Sequence, residues 1–414
     1  MKSKNKKKAP DKLYKFLKGL SVFLILFLII EVVYFGIKFY ENRKNTVYYD
    51  IVNSIKKVDD GYVAVGLSDF KNSKLTSYKK PGYNKGVIAL YNDKLDRIKE
   101  TAFKLGFNSV FNSVTETEDG FVAVGSVEVT KAHNKEGYCE ALIVKYNKNL
   151  EEEWFKNIKI LDINKLMQVK TDKDGNIIVV GQSIYGPNYI GNHTTGGAIL
   201  IKFDKEGEEL LRINLGGPQT DIFNDFIIEE DGYVVVGIKG TGTGIIYKYD
   251  LKAKELWHEY YGYTDKEGLV SITKFNNNYV VTGSLLPEKD STDKYKGAII
   301  IFDKNGKKVK EEIFEEDNIT KIQKITVDND KIIALGIYGK KEKDILKNNS
   351  FMLILDKDLK VITKEKLTGN KTVNLTDVIV TDKEYIVSGY TDSKLEEFKT
   401  NGYDYFPFIK KYGK

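Results

Sequence analysis

The sequence predicts an all-β protein, a seven-bladed β-propeller that follows an N-terminal transmembrane helix. Three observations predict it: a short motif that recurs seven times, four strand-like runs in most copies, and one apolar segment near the N-terminus. A recurring unit of this kind cannot bury its apolar face alone, so it indicates an array in which neighbouring units cover one another.

The composition excludes several classes of protein. With 414 residues, of which 41% are hydrophobic, the chain can bury a large core and is not a disordered segment. One cysteine, Cys139, excludes an internal disulfide framework and a cysteine-based zinc or iron–sulfur cluster. The three histidines do not stand at metal-ligand spacing, so we expect no metal site and no cofactor.

The positive charge is concentrated at the N-terminus. Residues 1–44 contain eleven Lys or Arg and three Asp or Glu, whereas the remainder holds 54 basic and 56 acidic residues. A body near neutrality has no electrostatic footprint for phosphates, so we expect no nucleic-acid partner. The many Lys, Asn and Ile residues indicate an AT-rich bacterial genome.

The apolar segment Gly19–Ile37 carries one charge, Glu31, and as a helix would reach ~28 Å, close to the thickness of a bilayer. Eight lysines precede it and few basic residues follow, so the positive-inside rule places the N-terminus in the cytoplasm. A cleaved signal peptide is the alternative, but Phe39–Arg43 is a poor cleavage site. Glu31 lies near the outer interface or faces a partner helix. We therefore expect a single-pass cell-membrane protein with a cytoplasmic tail at 1–18, a signal anchor at 19–37, a linker at 38–45 and an extracellular propeller at 46–414.

The repeated motif is a turn, an apolar strand and a closing glycine. Its first copy is Asp60–Gly66, and the closing glycines recur at a period of about 54 residues, at Gly66, Gly125, Gly181, Gly237, Gly283, Gly336 and Gly389. The first run of each copy is short and begins with polar residues. The second and third runs are apolar on both faces, and the fourth mixes apolar with charged residues. A propeller blade requires this gradient, because its middle strands are covered twice and its outer strand is an edge that charges such as Glu311 and Lys364 protect.

The two ends of the chain are expected to meet. The seventh copy ends with Phe406–Lys410 and lacks a fourth run, while Thr46–Tyr49 forms an extra strand-like run before the first copy. We predict that Thr46–Tyr49 is the outer strand of the seventh blade, which would join the last blade to the first.

The repeats resemble those of bacterial secreted and surface β-propeller proteins, within the wider WD40-like and quinoprotein-like superfamily. The resemblance is carried by Gly197–Asp204, Leu215–Gly217 and Asp231–Gly237, and it covers 46–414. It implies the fold and no particular activity. Tryptophan remains in only two fourth runs, at Trp154 and Trp257, and the tryptophan-docking pattern of quinoproteins is missing, so a quinone is not implied.

The variable loops after the closing glycines are the first candidate site, because propeller geometry gathers them on one face. The predicted loops are 67–85, 126–139, 182–196, 284–296, 337–349 and 390–404. Their aromatic and imidazole side chains suit contact with carbohydrate or peptide, although packing against the blades is the alternative. The candidate binding residues are Tyr83, His133, Tyr138, Tyr185, Tyr189 and His193.

Polar residues of the first runs form a second candidate, a ring around the central channel. They either hold water or a cation or satisfy backbone groups of the inner strands; the members are Asn53, Ser54, Asn112, Ser113, Asn224, Asp225, Ser271 and Asp377. The turn at Asp172–Gly175 resembles the start of a calcium loop but coincides with a repeat turn. The acid pairs Glu229–Glu230 and Glu315–Glu316 are expected on a solvated face.

We therefore predict a membrane-anchored module that binds an envelope protein, a peptide or a cell-wall glycan. A surface glycosidase or lyase that uses loop carboxylates is the alternative, and a structural part of an envelope assembly, dimerised through the anchor, is a third. No catalytic residue is assigned, because no nucleophile elbow, phosphate loop or Cys–His pairing is recognisable.

Overall fold

The structure is a computed structural model. It describes residues 50–69, 84–103, 105–128, 139–184, 197–216, 221–240, 242–262, 268–285, 294–342, 345–398 and 405–414. All of them belong to one compact unit, Tyr49–Lys414. No helix within these ranges is long and apolar enough to cross a bilayer, and the predicted anchor at 19–37 lies outside them.

The described chain is built almost entirely from strands. They are β1 (Asp50–Val58), β2 (Gly61–Ser68), β3 (Lys85–Tyr91), β4 (Arg97–Ala102), β5 (Ser109–Thr117), β6 (Gly120–Val127), β7 (Glu140–Asn147), β8 (Glu152–Ile158), β9 (Ile163–Thr171), β10 (Ile177–Ile184), β11 (Gly197–Phe203), β12 (Glu209–Gly216), β13 (Ile222–Glu229), β14 (Gly232–Lys239), β15 (Thr243–Asp250), β16 (Glu255–Tyr261), β17 (Gly268–Phe275), β18 (Asn278–Leu285), β19 (Lys296–Phe302), β20 (Lys308–Phe314), β21 (Ile319–Asp328), β22 (Lys331–Glu342), β23 (Ile345–Leu355), β24 (Val361–Leu367), β25 (Val373–Val380), β26 (Glu384–Thr391) and β27 (Phe406–Gly413). One short 3₁₀ helix, Glu396–Phe398, precedes β27.

The strands form seven antiparallel sheets in chain order, which are the blades of a seven-bladed β-propeller. Blades 1 to 6 are β1–β4, β5–β8, β9–β12, β13–β16, β17–β20 and β21–β24, and blade 7 is β25–β27. In each blade the first strand is the inner strand and the fourth is the outer strand. The predicted four-run repeat is thus confirmed, and blade 7 has three strands among the described residues.

The ring is closed. Each inner strand contacts the inner strands of both neighbouring blades, and β1 of blade 1 contacts β25, β26 and β27 of blade 7. The backbone N–H of Asp50 donates to the carbonyl oxygen of Tyr405 at 3.2 Å, which ties the start of β1 to the start of β27. The predicted closing strand Thr46–Tyr49 lies outside the described residues.

Seven apolar clusters fill the spaces between successive blades. The second and third strands are buried on both faces, as in β6, where every residue is buried. At ~25 cal/mol per Å² of apolar surface removed from water, these clusters are the main favourable term that holds the blades together. The cluster between blades 7 and 1 is the smallest, with five buried members against ten or more in each of the others.

Every inner strand carries a one-residue bulge at the same repeat position. The bulged residues are Asn53, Asn112, Met167, Asn224, Val270, Gln323 and Thr376. The bulge brings an inner-strand carbonyl against the closing glycine: a Cβ on Gly237 would lie 1.9 Å from the oxygen of Ile222. This close approach explains the glycine that ends each copy of the motif.

The outer strands are protected by bulges as well as by charge. In each of the six described outer strands the second residue is bulged out of the pairing with the third strand, as at Ile98 and Leu256. A bulge twists an edge away from pairing with another molecule. Glu311 and Lys364, the charges predicted to do this, are instead half-buried and paired: Tyr261 donates to Glu311, and Lys364 pairs with Glu316.

The hairpins between third and outer strands share one turn. In blade 5 the Oδ1 of Asp303 accepts the N–H groups of Asn305 and Lys307 at 2.8 and 2.9 Å, and Gly306 adopts a φ of +83°. Leu150 and Leu359 occupy the corresponding left-handed position in blades 2 and 6, with φ of 54° and 60°. Both leucines are buried, so packing offsets a backbone conformation that favours glycine.

Two predictions about the strands were wrong. Residues 337–349 were expected to be a loop, but β22 and β23 pair through this region as a long hairpin, from Ile337 opposite Ser350 to Glu342 opposite Ile345. In this copy the pairing of the second and third strands continues beyond the closing glycine, through six further residue pairs. The inner strands, expected to be short, run for eight to ten residues.

Candidate functional site

The connections between second and third strands emerge on the same end of the ring as the connections between blades. We call this end the loop face and the opposite end the turn face. The N–H of Ser109, which follows the connection from blade 1 to blade 2, donates to the carbonyl of Asn84 at the end of a blade 1 loop, at 2.9 Å. Isolated parallel bridges join Cys139 to Ile163 and Tyr295 to Ile319 in the same way. The described ends of these loops therefore lie on one face of the ring, as predicted.

The six side chains proposed from the sequence cannot be placed on this face. Tyr83, His133, Tyr138, Tyr185, Tyr189 and His193 all lie outside the described residues. They remain predictions.

A cavity opens on the loop face where blades 1, 2 and 3 meet. Its volume is about 210 Å³, and its polar lining comes from Asn84 of blade 1, Asn108, Ser126, Glu128 and Cys139 of blade 2, and Lys165 of blade 3. Sequence analysis did not single out these residues, except Cys139 for its uniqueness. Only their position in the repeat could have indicated the site, because each stands near the end of a strand or at the base of a loop.

Hydrogen bonds hold part of this lining in place. The Nδ2 of Asn108 donates to Glu128 Oε2 at 2.8 Å, and the Oδ1 of Asn108 accepts the N–H of Asn84 at 3.0 Å. One asparagine thus fixes a carboxylate of its own blade and the backbone of the neighbouring blade. Lys165 also lines the cavity and makes no ion pair with any residue that the structure describes.

Cys139 is a poor nucleophile in this cavity. Burial raises the pKa of its thiol, against the opposing charge of Lys165 and a hydrogen bond to the carbonyl of Asn164. A thiol with a raised pKa carries little thiolate at neutral pH. The geometry therefore favours a packing role for Cys139 and a binding role for the polar groups around it.

The second candidate, the polar ring of the inner strands, is a set of links between blades. The bulged asparagines reach across: Asn53, Asn112 and Asn224 each donate at 2.8 Å to an inner-strand carbonyl of the next blade. Thr376 Oγ1 donates at 2.8 Å to the carbonyl of Val52, which repeats the link between blades 7 and 1. These contacts bear out the alternative in which the ring satisfies backbone groups.

The residues after the bulges continue the ring with charged groups. Ser54 of blade 1 donates to Asp377 of blade 7 at 2.9 Å, and Lys324 of blade 6 pairs with the same carboxylate at 3.4 Å. Asp225 of blade 4 likewise accepts from Ser271 of blade 5 at 2.9 Å and pairs with Lys170 of blade 3 at 3.2 Å. Each aspartate therefore joins three consecutive blades.

Both aspartates are held in their charged form. Burial raises the pKa of Asp377, but Lys324 and Lys56 outweigh it and the pKa lies below its ordinary value. Burial also raises the pKa of Asp225, and Lys170 and Lys324 bring it below its ordinary value. A buried charge with several donors is costly to unpair, so the two aspartates stabilise the closed ring rather than offering free oxygens to a ligand.

The acid pairs were expected on a solvated face, but Glu229 and Glu316 are largely buried and paired with lysines. Glu229 of blade 4 accepts from Lys274 at 2.6 Å and from Tyr279 at 2.8 Å, both of blade 5, and from Lys248 at 3.0 Å. Glu316 pairs with Lys364 and with Lys366 at 3.0 Å. Neither pair leaves two free carboxylates facing one another.

Glu229 should make the fold acid-sensitive. Burial raises its pKa, but Lys274, Lys248 and Tyr279 outweigh burial and lower the pKa to about 2. A carboxyl whose pKa is depressed in the folded state stabilises above its unfolded value and loses that contribution as pH falls through the folded value. We expect Glu229→Gln to lower the free energy of unfolding at pH 7 and to flatten its decline between pH 4.5 and 2. Urea unfolding across this range measures it, and the neighbouring Glu230→Gln is the matched control; equal slopes in the wild type and Glu229→Gln would contradict the assignment.

The turn at Asp172–Gly175 is a hairpin turn rather than a calcium loop. Asp172 Oδ1 accepts the N–H groups of Asp174 and Asn176 at 2.9 Å, and Oδ2 pairs with Lys202 at 2.8 Å. Across the ranges that the structure describes, no group of three or more His, Cys, Asp or Glu side chains is placed to hold a metal ion.

The propeller fold rests on the sheet topology of this chain, and the comparisons with known proteins add no argument to it. No family model and no curated protein matches the chain. Among solved structures, the β-propeller domain of the Trilobed protease from Pyrococcus furiosus, described as having an open velcro topology, aligns with 12% identity and a TM-score of 0.44 over 89% of this chain and 95% of that one. A lignostilbene dioxygenase from Pseudomonas brassicacearum aligns with 9% identity and a TM-score of 0.47 over 88% of each chain. A puromycin hydrolase aligns with 8% identity and a TM-score of 0.49 over 83% of this chain and 50% of that one.

Proposed function

We propose that this protein is a membrane-anchored extracytoplasmic binding module that holds an envelope protein, a peptide or a cell-wall glycan on its loop face. The observation that carries the proposal is the loop-face cavity, to which three blades contribute polar side chains. The anchor and the location outside the cell rest on the apolar segment 19–37 and on the lysines before it.

The cavity suits recognition of a small part of a larger partner. Its volume of about 210 Å³ is below the ~300–1,000 Å³ of pockets that enclose whole small ligands. A space of this size accommodates one side chain or one sugar unit, with the rest of the partner spread over the surrounding loops. The ammonium of Lys165 and the carboxylate of Glu128 would orient that unit, and the closed ring below keeps the groups in place.

Binding should depend on Lys165. We expect Lys165→Ala to reduce capture of the partner at least tenfold, because the variant removes an ammonium group that has no ion pair to replace among the described residues. The measurement is affinity capture from envelope extracts with the full chain in detergent, quantified by titration. Lys148→Ala, in an exposed hairpin turn on the turn face, is the matched control. No specific partner, or the same loss with both variants, would overturn the proposal.

The same variants separate binding from hydrolysis. Glu128 is the carboxylate that lines the cavity among the described residues, whereas most glycosidases use a pair. A screen of cell-wall polysaccharides with the wild type and Glu128→Gln distinguishes the two. Turnover that disappears in Glu128→Gln would replace the binding proposal with an enzymatic one.

A further inference from the structure

The outer strands expose an aliphatic side chain at one position of the repeat. In five of the six described outer strands the second residue, which is bulged out of the pairing with the third strand, is aliphatic and 48–59% exposed; these residues are Ile98, Leu210, Leu256, Val309 and Ile362. The sixth strand has Glu153 at this position, so the fold accepts a charged residue there. Burial within this chain therefore does not account for the aliphatic residues.

Blades 4, 5 and 6 form a continuous stretch of this exposed edge. Beside the bulged residues of blades 4 and 6, Leu251 and Val361 are exposed as well. The hairpins between the third and outer strands of the three blades also touch one another. A Cβ on Gly306 would lie 2.7 Å from the ring of Trp257, and Lys310 of blade 5 forms an ion pair of 3.4 Å with the hairpin of blade 6.

The same three hairpins are rich in lysine. Residues 250–257, 303–310 and 356–363, which we call the basic rim, hold eight lysines and five acidic residues. The corresponding residues of blades 2 and 3, 147–154 and 204–211, hold two lysines and seven acidic residues. Six lysines of the basic rim are exposed and make no ion pair with any residue that the structure describes: Lys252, Lys254, Lys304, Lys307, Lys357 and Lys360. Leu210 of blade 3 is equally exposed but stands among acids, so only the basic rim combines aliphatic residues with an excess of positive charge.

Acidic residues mark the limits of the basic rim. Toward the loop face the outer strand of blade 5 continues with Glu311 and Glu312, and toward the axis the inner hairpins of blades 4 and 6 carry Glu230 and Asp330. The excess of lysine is thus confined to the turn-face end of three outer strands. Because the outer strands form the circumference of the ring, this surface is a narrow convex edge.

A cavity of about 290 Å³ opens on the basic rim between blades 4 and 5. Its lining includes Asn305, Lys307 and Lys308 of blade 5 and Glu259 of blade 4. Lys308 also pairs with Glu311 at 2.6 Å. Two ammonium groups and an amide against one lining carboxylate favour an anionic group, and phosphate is the anion that ammonium groups bind through charge-assisted hydrogen bonds.

We propose that the basic rim docks on the surface of a membrane that contains anionic phospholipids. Aliphatic side chains such as Val309 and Ile362 enter the boundary between headgroups and acyl chains, while the lysines beside them stay among the headgroup phosphates. An acidic polypeptide is the alternative partner for the lysines. Protruding aliphatic side chains on a convex edge favour the bilayer, because its surface adapts to their shape. The basic rim is separate from the loop-face cavity, so this proposal does not rest on the proposed function.

A polarity-sensitive dye placed on the rim tests the proposal in the full chain. In a Cys139→Ser background, Val309→Cys labels the basic rim, and Leu210→Cys labels the same repeat position in blade 3 as the matched control. After reconstitution into phosphatidylcholine vesicles, we expect added phosphatidylglycerol to shift the emission of the dye at position 309 to the blue and to leave the dye at position 210 unchanged. No shift at either position, or the same shift at both, would overturn the proposal. An equal blue shift at position 309 with soluble polyglutamate and pure phosphatidylcholine would overturn it in favour of an acidic polypeptide.

The lysines are tested with the same dye. Lys304→Ala combined with Lys307→Ala should weaken the association with anionic vesicles roughly fivefold per lysine, seen as a higher phosphatidylglycerol content needed for half of the blue shift at position 309. Lys148→Ala combined with Lys205→Ala, in the acidic hairpins of blades 2 and 3, is the matched control and should leave this content unchanged. Equal effects of the two pairs would overturn the proposal. Capture of a partner through Lys165 is measured on the other face, so failure of one proposal is distinguishable from failure of the other.

Discussion

Asp377→Ala should destabilise the propeller by about 3–5 kcal/mol, because it breaks a buried ion pair with Lys324 and removes the acceptor of two hydrogen bonds from blade 1. Asp377 accepts from Ser54 at 2.9 Å and from the N–H of Ile55 at 3.1 Å, and it pairs with Lys324 at 3.4 Å. Its side chain is almost fully buried. The contacts that are lost join blade 7 to both of its neighbours. We therefore expect the variant to unfold in a single transition of the whole ring.

Urea unfolding followed by tyrosine and tryptophan fluorescence measures this effect. Asp358→Ala is the matched control, because Asp358 pairs with Lys310 at 3.4 Å on the surface, where such pairs contribute less than about 1 kcal/mol. Similar midpoints for Asp377→Ala and the wild type would show that the carboxylate does not join blades 1, 6 and 7.

Gly237→Ala should destabilise the propeller by about 3 kcal/mol, because the added methyl group would clash with the backbone of the inner strand. The added Cβ would lie 1.9 Å from the carbonyl oxygen of Ile222 and 2.9 Å from its carbon, and both are backbone atoms of the neighbouring strand. Relief requires the inner-strand bulge to open, which would disturb the link from Asn224 to blade 5.

Thermal unfolding of Gly237→Ala beside Gly413→Ala separates this clash from a general effect of losing glycine. A Cβ on Gly413 meets nothing within 4 Å, so that variant should unfold close to the wild type. If Gly237→Ala unfolded at the same temperature as Gly413→Ala, the bulged geometry of the inner strands would be contradicted.

The fold could be predicted from the sequence because each level of the repeat carries a separate signal. The closing glycines, the doubly apolar middle strands and the Asp–Gly turns all repeat at nearly the same spacing, and each has a local physical cause. The long hairpin of β22 and β23 could not be predicted, because Tyr338 to Lys341 reads as loop sequence until the partner strand is known. Whether such a segment forms a strand depends on its pairing with a neighbouring strand rather than on its local propensity.

The candidate site was much harder to predict than the fold. Sequence reasoning favoured large aromatic side chains in the loops, which lie outside the described residues. The cavity instead combines Asn84, Asn108, Glu128 and Lys165, which are common residues far apart in the sequence. Only the packing of three blades against one another brings them together. The spacing of residues within one repeat cannot predict which residues of different repeats will meet. The ring of inner-strand polar residues was identified correctly as a group, but its pairing depended on the same stacking.

A double-mutant cycle between Ser54 and Asp377 tests the closed ring most directly, because these residues stand 323 positions apart in the sequence and meet only if blades 1 and 7 are joined. The free energies of unfolding of Ser54→Ala, Asp377→Asn and the double variant give the coupling energy. A closed ring predicts a coupling of about 1 kcal/mol, within the range of residues in contact. Additive effects, to within about 0.3 kcal/mol, would show that the first and last blades do not meet through this hydrogen bond.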